Sequence, residues 1–146
     1  MTGDSAYTVR LADWAVDEAA LGAIRHDVFV VEQQVPPALE WDGVDPACRH
    51  AIAEDREGWA IGCGRLLPDG HIGRMAVLPE WRGKGVGTAL LSRLIESARQ
   101  LGMSELALNA QTSAIGFYRR FGFVPDGDEF IEAGIAHVAM VRSGLA

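Results

Sequence analysis

Between Met75 and Leu91 an apolar run ending in Val77 and Leu78 meets Pro79, then three glycines at alternate positions, Gly83, Gly85 and Gly87, then an amphipathic run. This stretch restricts the fold more than any other in the chain. Glycine has no Cβ, so the backbone can turn tightly there and aim several N–H groups into one concavity at a helix start. The stretch therefore predicts a strand, a glycine-rich turn and a helix, with an anion cradle at the turn. Arg82 and Lys84 add two positive charges beside it. The positive end of the helix dipole favours the same kind of guest, so a phosphate-bearing ligand is expected.

Two common phosphate motifs are excluded by spacing. A P-loop needs Gly-x-x-x-x-Gly-Lys-Ser/Thr, but Gly83-Lys84 is followed by Gly85, and five residues before Gly83 stands Leu78. A dinucleotide fingerprint needs Gly-x-Gly-x-x-Gly, but Thr88 lies three residues after Gly85, and Leu90 three after Gly87.

The chain has 146 residues, within the size of one domain that can bury a single core, and residues 1 to 146 are read as one domain. Its hydrophobic fraction of 49% and charged fraction of 23% are those of a globular protein. No apolar run approaches the roughly 18 residues of a membrane span, and the N-terminus lacks a signal-peptide pattern, so no membrane partner and a cytoplasmic location are expected. Cys48 and Cys63 are too few for a zinc knuckle and read as reduced, small apolar residues. A net charge of −7 argues against nucleic acid as a partner and suits a cationic acceptor.

Taken in order, Tyr7 to Leu11 alternates as a first strand, and Asp13 can start a helix. Ala20, Ile24, Val28 and Val31 share a helical face over 17 to 31, although the β-branched end favours an earlier stop. Pro36 and Pro37 open an irregular segment holding Glu40, Trp41, Asp42 and Asp45, with His50 at the next strand. Its spacing matches no calcium or zinc loop, and no metal is expected. Arg49 to Glu54, Trp59 to Leu67 and His71 to Leu78 form an antiparallel meander joined by the turns Asp55 to Gly58 and Pro68 to Gly70. Leu90, Leu91, Leu94, Ile95, Ala98 and Leu101 share the apolar face of the following helix, which Gly102 caps. The strand Ser104 to Ala110 then implies a parallel crossover. A short helix from Ser113 to Phe121, and strands at Phe123 to Pro125 and Ile135 to Val141, complete the sheet.

With these elements in place, Arg82-x-x-Gly85-x-Gly87 between strand and amphipathic helix resembles the acetyl-coenzyme A pyrophosphate loop of the GNAT superfamily of N-acetyltransferases. The run Ala114 to Phe123, a helix carrying Ala and Tyr and ending in Gly-Phe, is similar to a second GNAT pattern. Arg25 to Gln33, Glu40-x-Asp42-x-x-Asp45, His50, Ala110-Gln111 and Gly134-Ile-x-His137 resemble the ElaA-like branch and extend the similarity over most of the chain.

The resemblance implies a single-domain α/β (α+β) fold, with a mixed, mostly antiparallel sheet of six to seven strands flanked by about four helices. It implies acetyl-coenzyme A as cofactor, with the backbone of Met75, Ala76 and Val77 pairing with the pantetheine arm. Arg82, Gly83, Lys84, Gly85, Val86, Gly87 and Thr88 would hold the pyrophosphate. Ala114, Phe117 and Tyr118 would complete the cofactor site, with Gln111 where many members have Asn. Positive φ is expected at Gly85 or Gly87, so a β-branched residue there should be worse than Ala elsewhere in the loop.

Tyr118 is the candidate general acid, because a phenol with a pKa near ~10 stays neutral at working pH and can protonate a thiolate. Glu32, where the first helix meets the acceptor-side loop, is the leading candidate base, with His50 and His137 as alternatives and His71 expected to be exposed. Arg65 and Arg74 sit on adjacent strands, either in solvent-facing ion pairs or inward, where they would imply a carboxylate on the acceptor. The reaction expected is acetyl transfer to an amine of a small molecule or peptide. A coenzyme-binding module of the same fold without turnover is the alternative, and a homodimer is among the assemblies left open.

Overall fold

The structure, a computed structural model, describes residues 6–40 and 42–145. Trp41, singled out in the acidic segment, lies outside the described residues. The chain opens with β1 (Tyr7–Ala12) and α1 (Trp14–Arg25), which passes without a break into a π-helical turn (His26–Glu32) and then a four-residue α2 (Pro37–Glu40). The meander follows as β2 (Arg49–Asp55), β3 (Ala60–Leu66) and β4 (His71–Val77). Next come α3 (Val86–Gln100), β5 (Leu106–Gln111), α4 (Ile115–Arg119), β6 (Val124–Pro125), β7 (Phe130–Glu132) and β8 (Ile135–Arg142).

The strands form one sheet in the order β1-β2-β3-β4-β5-β8, with β6 and β7 both on β8. Every pairing is antiparallel except β4 with β5, the crossover expected from the strand–helix–strand order. Among the described residues the sheet has eight strands rather than six to seven. The added one is β7, only three residues long, joined to β8 through Ala133 and Gly134 at φ 52° and 78°. Two positive-φ residues in a two-residue loop match the twist of a hairpin, but Ala at the first position hides the signal that Asn-Gly gives.

Helices cover both faces. Ala51 and Ala53 of β2 join α3 residues Leu90, Leu91, Leu94 and Ala98 in the larger core. Ile52, from the same strand, packs instead with Leu21, Ile24 and Val28 under the first helix. Period-2 alternation thus feeds two layers from one strand, and β2 is buried on both sides. Gly64 of β3 lets α3 approach: a Cβ there would stand 2.5 Å from Met75 Sδ and 2.8 Å from Leu94 Cδ1.

The first helix begins where Asp13 was expected to start it and differs at its far end. α1 starts at Trp14, capped by the Asp13 side chain, which accepts from Ala15 N at 3.1 Å. At its far end the β-branched run does not stop the helix but changes its pitch, with Gln33 N donating to Val28 O at 3.0 Å across five residues. The extra residue per turn rotates Val31 off the apolar face, and it is 63% exposed. Likewise Leu101, expected on the buried face of α3, is the C-cap and half exposed, while Gly102 takes φ 82° as a helix end favours.

Candidate functional site

The two parallel strands separate almost at once. Pairing between β4 and β5 is confined to His71 with Ala107 and Ile72 with Leu108. Beyond these, β4 stays with β3 up to Val77, opposite Gly62, and β5 stays with β8 up to Gln111, opposite His137. A cavity of about 530 Å³ fills the gap. The cause lies in β4. From Cys63 to Arg65 on β3 the partner moves from Ala76 to Gly73, so β4 carries one extra residue, and Arg74 within it has φ 52°. Such a bulge bends the strand away from its neighbour.

The open edge of β4 is polar. Leu78 N donates to Ile61 O at 2.9 Å, toward β3. Strand amides alternate in direction, so the N–H and carbonyl of Val77 face the gap. Consistent with this, the Val77 carbonyl accepts from Arg82 Nε at 2.9 Å.

The glycine turn sits at the foot of the gap. Gly83 and Gly85 take φ 75° and 85°, and Gly85 is the N-cap of α3. The first helical bond runs from Ala89 N to Gly85 O, leaving the amides of Val86, Gly87 and Thr88 ahead of the ladder. Val86 is buried in the core, so only its backbone can serve a ligand. Gly87 corrects the expectation of positive φ: it is helical, and its neighbours stand in ordinary van der Waals proximity. A Cβ there would stand 3.6 Å from the Phe117 ring and 4.0 Å from Val77 Cγ2, at the gap between the loop and α4. Tyr7, unmarked in the sequence, braces the turn from β1 by donating to the Lys84 carbonyl at 3.3 Å and standing edge-on to Trp81.

Glu32 stands over the same turn. Arg82 Nη1 and Nη2 donate to its two carboxylate oxygens at 2.8 and 2.6 Å. Those hydrogen bonds from Arg82 hold the carboxyl below its ordinary range, outweighing the effect of burial.

On the β5 side, Tyr118 lines the cavity from α4, within a cluster of Phe117, Phe121 and Phe123. Burial pushes its phenol up to about 12. Gln111 Nε2 donates to Gln33 Oε1 at 2.9 Å, tying the end of β5 to the end of the π-helical turn. His137 also lines the cavity, its ring stacked on Phe130. Its Nδ1 lies 2.7 Å from the Ile135 carbonyl. A carbonyl only accepts, so Nδ1 carries a proton, and Nε2 lies 3.9 Å from Glu132 Oε1. Glu132, on the unforeseen β7, carried no signal in the sequence.

His50 is elsewhere. It is buried, stacked on Trp14, and its Nε2 donates to the Asp45 carbonyl at 2.9 Å, while burial pushes its pKa down and keeps the ring neutral. His71 is half exposed and lies 3.0 Å from Asp69.

Arg65 and Arg74 turn inward to the cavity. Arg65 donates to both oxygens of Asp42 at 3.0 Å and to Asp45 at 3.1 Å, and Arg74 reaches Asp42 at 3.4 Å. Asp45 also receives Arg25 at 2.8 Å. These carboxylates serve arginines, and among the described residues no group of three or more His, Cys, Asp or Glu is placed to hold a metal. No helix among the described residues is long and apolar enough to cross a membrane.

A diverging strand pair with a polar inner edge, ending over a turn of converging amides, suits an elongated ligand with a phosphate end. Comparison with known proteins agrees. The profile for the acetyltransferase (GNAT) domain matches residues 17–143. The uncharacterized N-acetyltransferase YjcF of Bacillus subtilis is 37% identical over 123 residues, covering 82% of this chain and 87% of that protein. The crystal structure of an acyl-CoA N-acyltransferase from Pseudomonas aeruginosa superposes with a TM-score of 0.83 at 31% identity, over 94% of this chain and 99% of that one. Escherichia coli ElaA does so with a TM-score of 0.82 at 29% identity, over the same shares. The chain therefore belongs to the GNAT family of acetyltransferases, in its ElaA-like branch.

Proposed function

We propose that the protein is an acetyl-coenzyme A-dependent N-acetyltransferase acting on an amine of a small molecule or peptide. The observation that carries this reading is the early parting of β4 from β5 directly above the amide-lined turn. The gap-facing backbone of Met75 and Val77 would hold the pantetheine arm, while Ala76 between them, expected to share in this, turns its N–H and carbonyl to β3. The amides of residues 83 to 88, with Arg82 and Lys84, would hold the pyrophosphate. Gln111, Ala114 and Tyr118 line the cavity opposite β4, and Phe117, whose ring faces Gly87, would complete the cofactor site.

When bound, acetyl-coenzyme A supplies an acetyl thioester, whose transfer requires a proton to leave the amine and a proton to reach the sulfur. Val77 N–H is placed to donate to an oxygen lodged at the strand edge, a fixed dipole of the kind that stabilises developing negative charge. Tyr118 lines the cavity and burial keeps its phenol protonated through the working pH range, and we assign it to give that proton to the sulfur. His137 Nε2 is the group we assign to accept the amine's proton, directly or through water, with Glu132 nearby to stabilise the imidazolium. Glu32, expected as the base, we assign instead to holding Arg82 over the turn, since both its oxygens are engaged there and its basicity is lowered.

The test is coenzyme A release across an amine panel, with wild type and Tyr118→Phe compared under single-turnover conditions. Loss of a positioned proton donor should slow transfer by about 10²- to 10⁴-fold with acetyl-coenzyme A affinity retained. An unchanged rate removes Tyr118 as the acid. Tight coenzyme binding with no acceptor-dependent thiol from wild type favours a binding module without turnover.

A further inference from the structure

The cavity has walls of opposite charge. On the β3–β4 wall stand the guanidinium groups of Arg65 and Arg74, and on the β7–β8 wall the carboxylate of Glu132 beside the Nε2 of His137. Arg65 is 3% exposed, a costly position for a cation unless its surroundings supply matching charge and acceptors. Asp45 and Asp42 supply part of that match. Among the described residues, however, the buried side-chain polar atom left without a hydrogen-bond partner is Arg65 Nε. Asp42 comes from the irregular stretch after α2, and its side chain is about one-third exposed, in contrast to the buried Asp45. Arg74 sits at the bulge with φ 52°, lines the cavity, and its guanidinium reaches the same Asp42 oxygen as Arg65 Nη2.

We infer that the acceptor is a small amine carrying its own carboxylate, of the amino-acid class, with the carboxylate on Arg74 and Arg65 at the site of Asp42 and the amino group across the cavity at Glu132 and His137. This rests on the acetyltransferase reading above. Arginine pairs a carboxylate through two parallel N–H donors, and the geometry by which Arg65 grips both oxygens of Asp42 shows the recognition mode available. The opposite placement of the two charges sets the orientation, turning the nitrogen toward Tyr118 and the proton-accepting imidazole.

The experiment pairs calorimetric binding of acetyl-coenzyme A with a panel of the protein amino acids and the same compounds as carboxamides. These are compared by thiol release and by thermal shift in the presence of coenzyme A. At least one acid is expected to exceed its amide in kcat/KM by about 10- to 100-fold, the worth of a charge-assisted hydrogen bond, and to raise the melting temperature where the amide does not. Arg74→Gln should bring the acid-to-amide ratio near one, and Arg74→Lys should restore part of it. Comparing ratios between proteins cancels the difference in amine basicity between acid and amide. Acids and amides that behave alike in both readouts overturn the inference, while acetyl-coenzyme A binding leaves the acetyltransferase reading standing. Wild-type protein that does not bind acetyl-coenzyme A overturns both.

Discussion

Replacing Asp45 by Asn keeps the shape of the side chain and removes one buried negative charge. The carboxylate is 4% exposed and its Oδ1 receives Arg25 at 2.8 Å and Arg65 at 3.1 Å, from guanidinium-bearing residues that are themselves 1% and 3% exposed. Breaking a buried pair by removing one partner costs about 3–5 kcal/mol, because the remaining charge stays desolvated. The Asn carbonyl still accepts a hydrogen bond, and Asp42 still grips Arg65, which points to the lower end, about 3 kcal/mol. Unfolding entropy of about 2.1 cal/mol/K per residue over 146 residues makes that a fall of about 10 °C in Tm.

The pH dependence has a definite sign. Burial raises the pKa of Asp45, but the hydrogen bonds and charges of Arg25 and Arg65 together outweigh it, so the folded carboxyl titrates below its unfolded value. Its stabilisation is therefore present above the unfolded pKa near ~4 and is lost as the pH falls through the lower folded value. Calorimetric melts of both proteins from neutral pH down through the acid limb check this, with the gap expected to narrow in acid. A loss below about 1 kcal/mol at neutral pH, or a gap that widens in acid, would refute the view that this carboxylate neutralises the buried arginines.

Gly85→Val should weaken acetyl-coenzyme A binding at least about tenfold in calorimetry, because a β-branched residue at φ 85° costs more than the roughly 1–2 kcal/mol of an ordinary left-handed residue. Its Cβ would also lie 3.3 Å from Tyr7 Oη. Gly87→Ala, at a helical φ with ordinary contacts, should leave the melting temperature within a few degrees, and a collapse of folding there would contradict the proximity argument. Glu32→Gln removes an exposed ion pair worth at most about 1 kcal/mol of stability. It should alter the KM for acetyl-coenzyme A while kcat at saturation stays within about threefold, whereas a drop of about 100-fold in kcat would reinstate Glu32 as the base.

The elements around the glycine turn were legible because their signals are local. The strand before Pro79, the turn at Gly83 and Gly85, the amphipathic α3 and its cap at Gly102 each depend on residues a few positions apart, and each formed where its pattern stood. Local signals failed where one residue changed a register. The π-helical turn moved Val31 outward, and a three-residue β7 built on Ala133 and Gly134 brought Glu132 to the site. Charged side chains were the least legible. Glu32 meets Arg82 fifty positions away, and Asp45 joins Arg25 and Arg65, each twenty positions off. His50 and His137 look alike as strand histidines, yet one is sealed against Trp14 and the other opens on the cavity. Backbone conformation is governed by near neighbours through sterics and periodicity, so a pattern of residue types is enough to announce a turn of converging amides. A side chain's charge, proton and direction are set by whatever the sheet brings against it from afar, and the charged walls of the cavity are made almost wholly of such meetings.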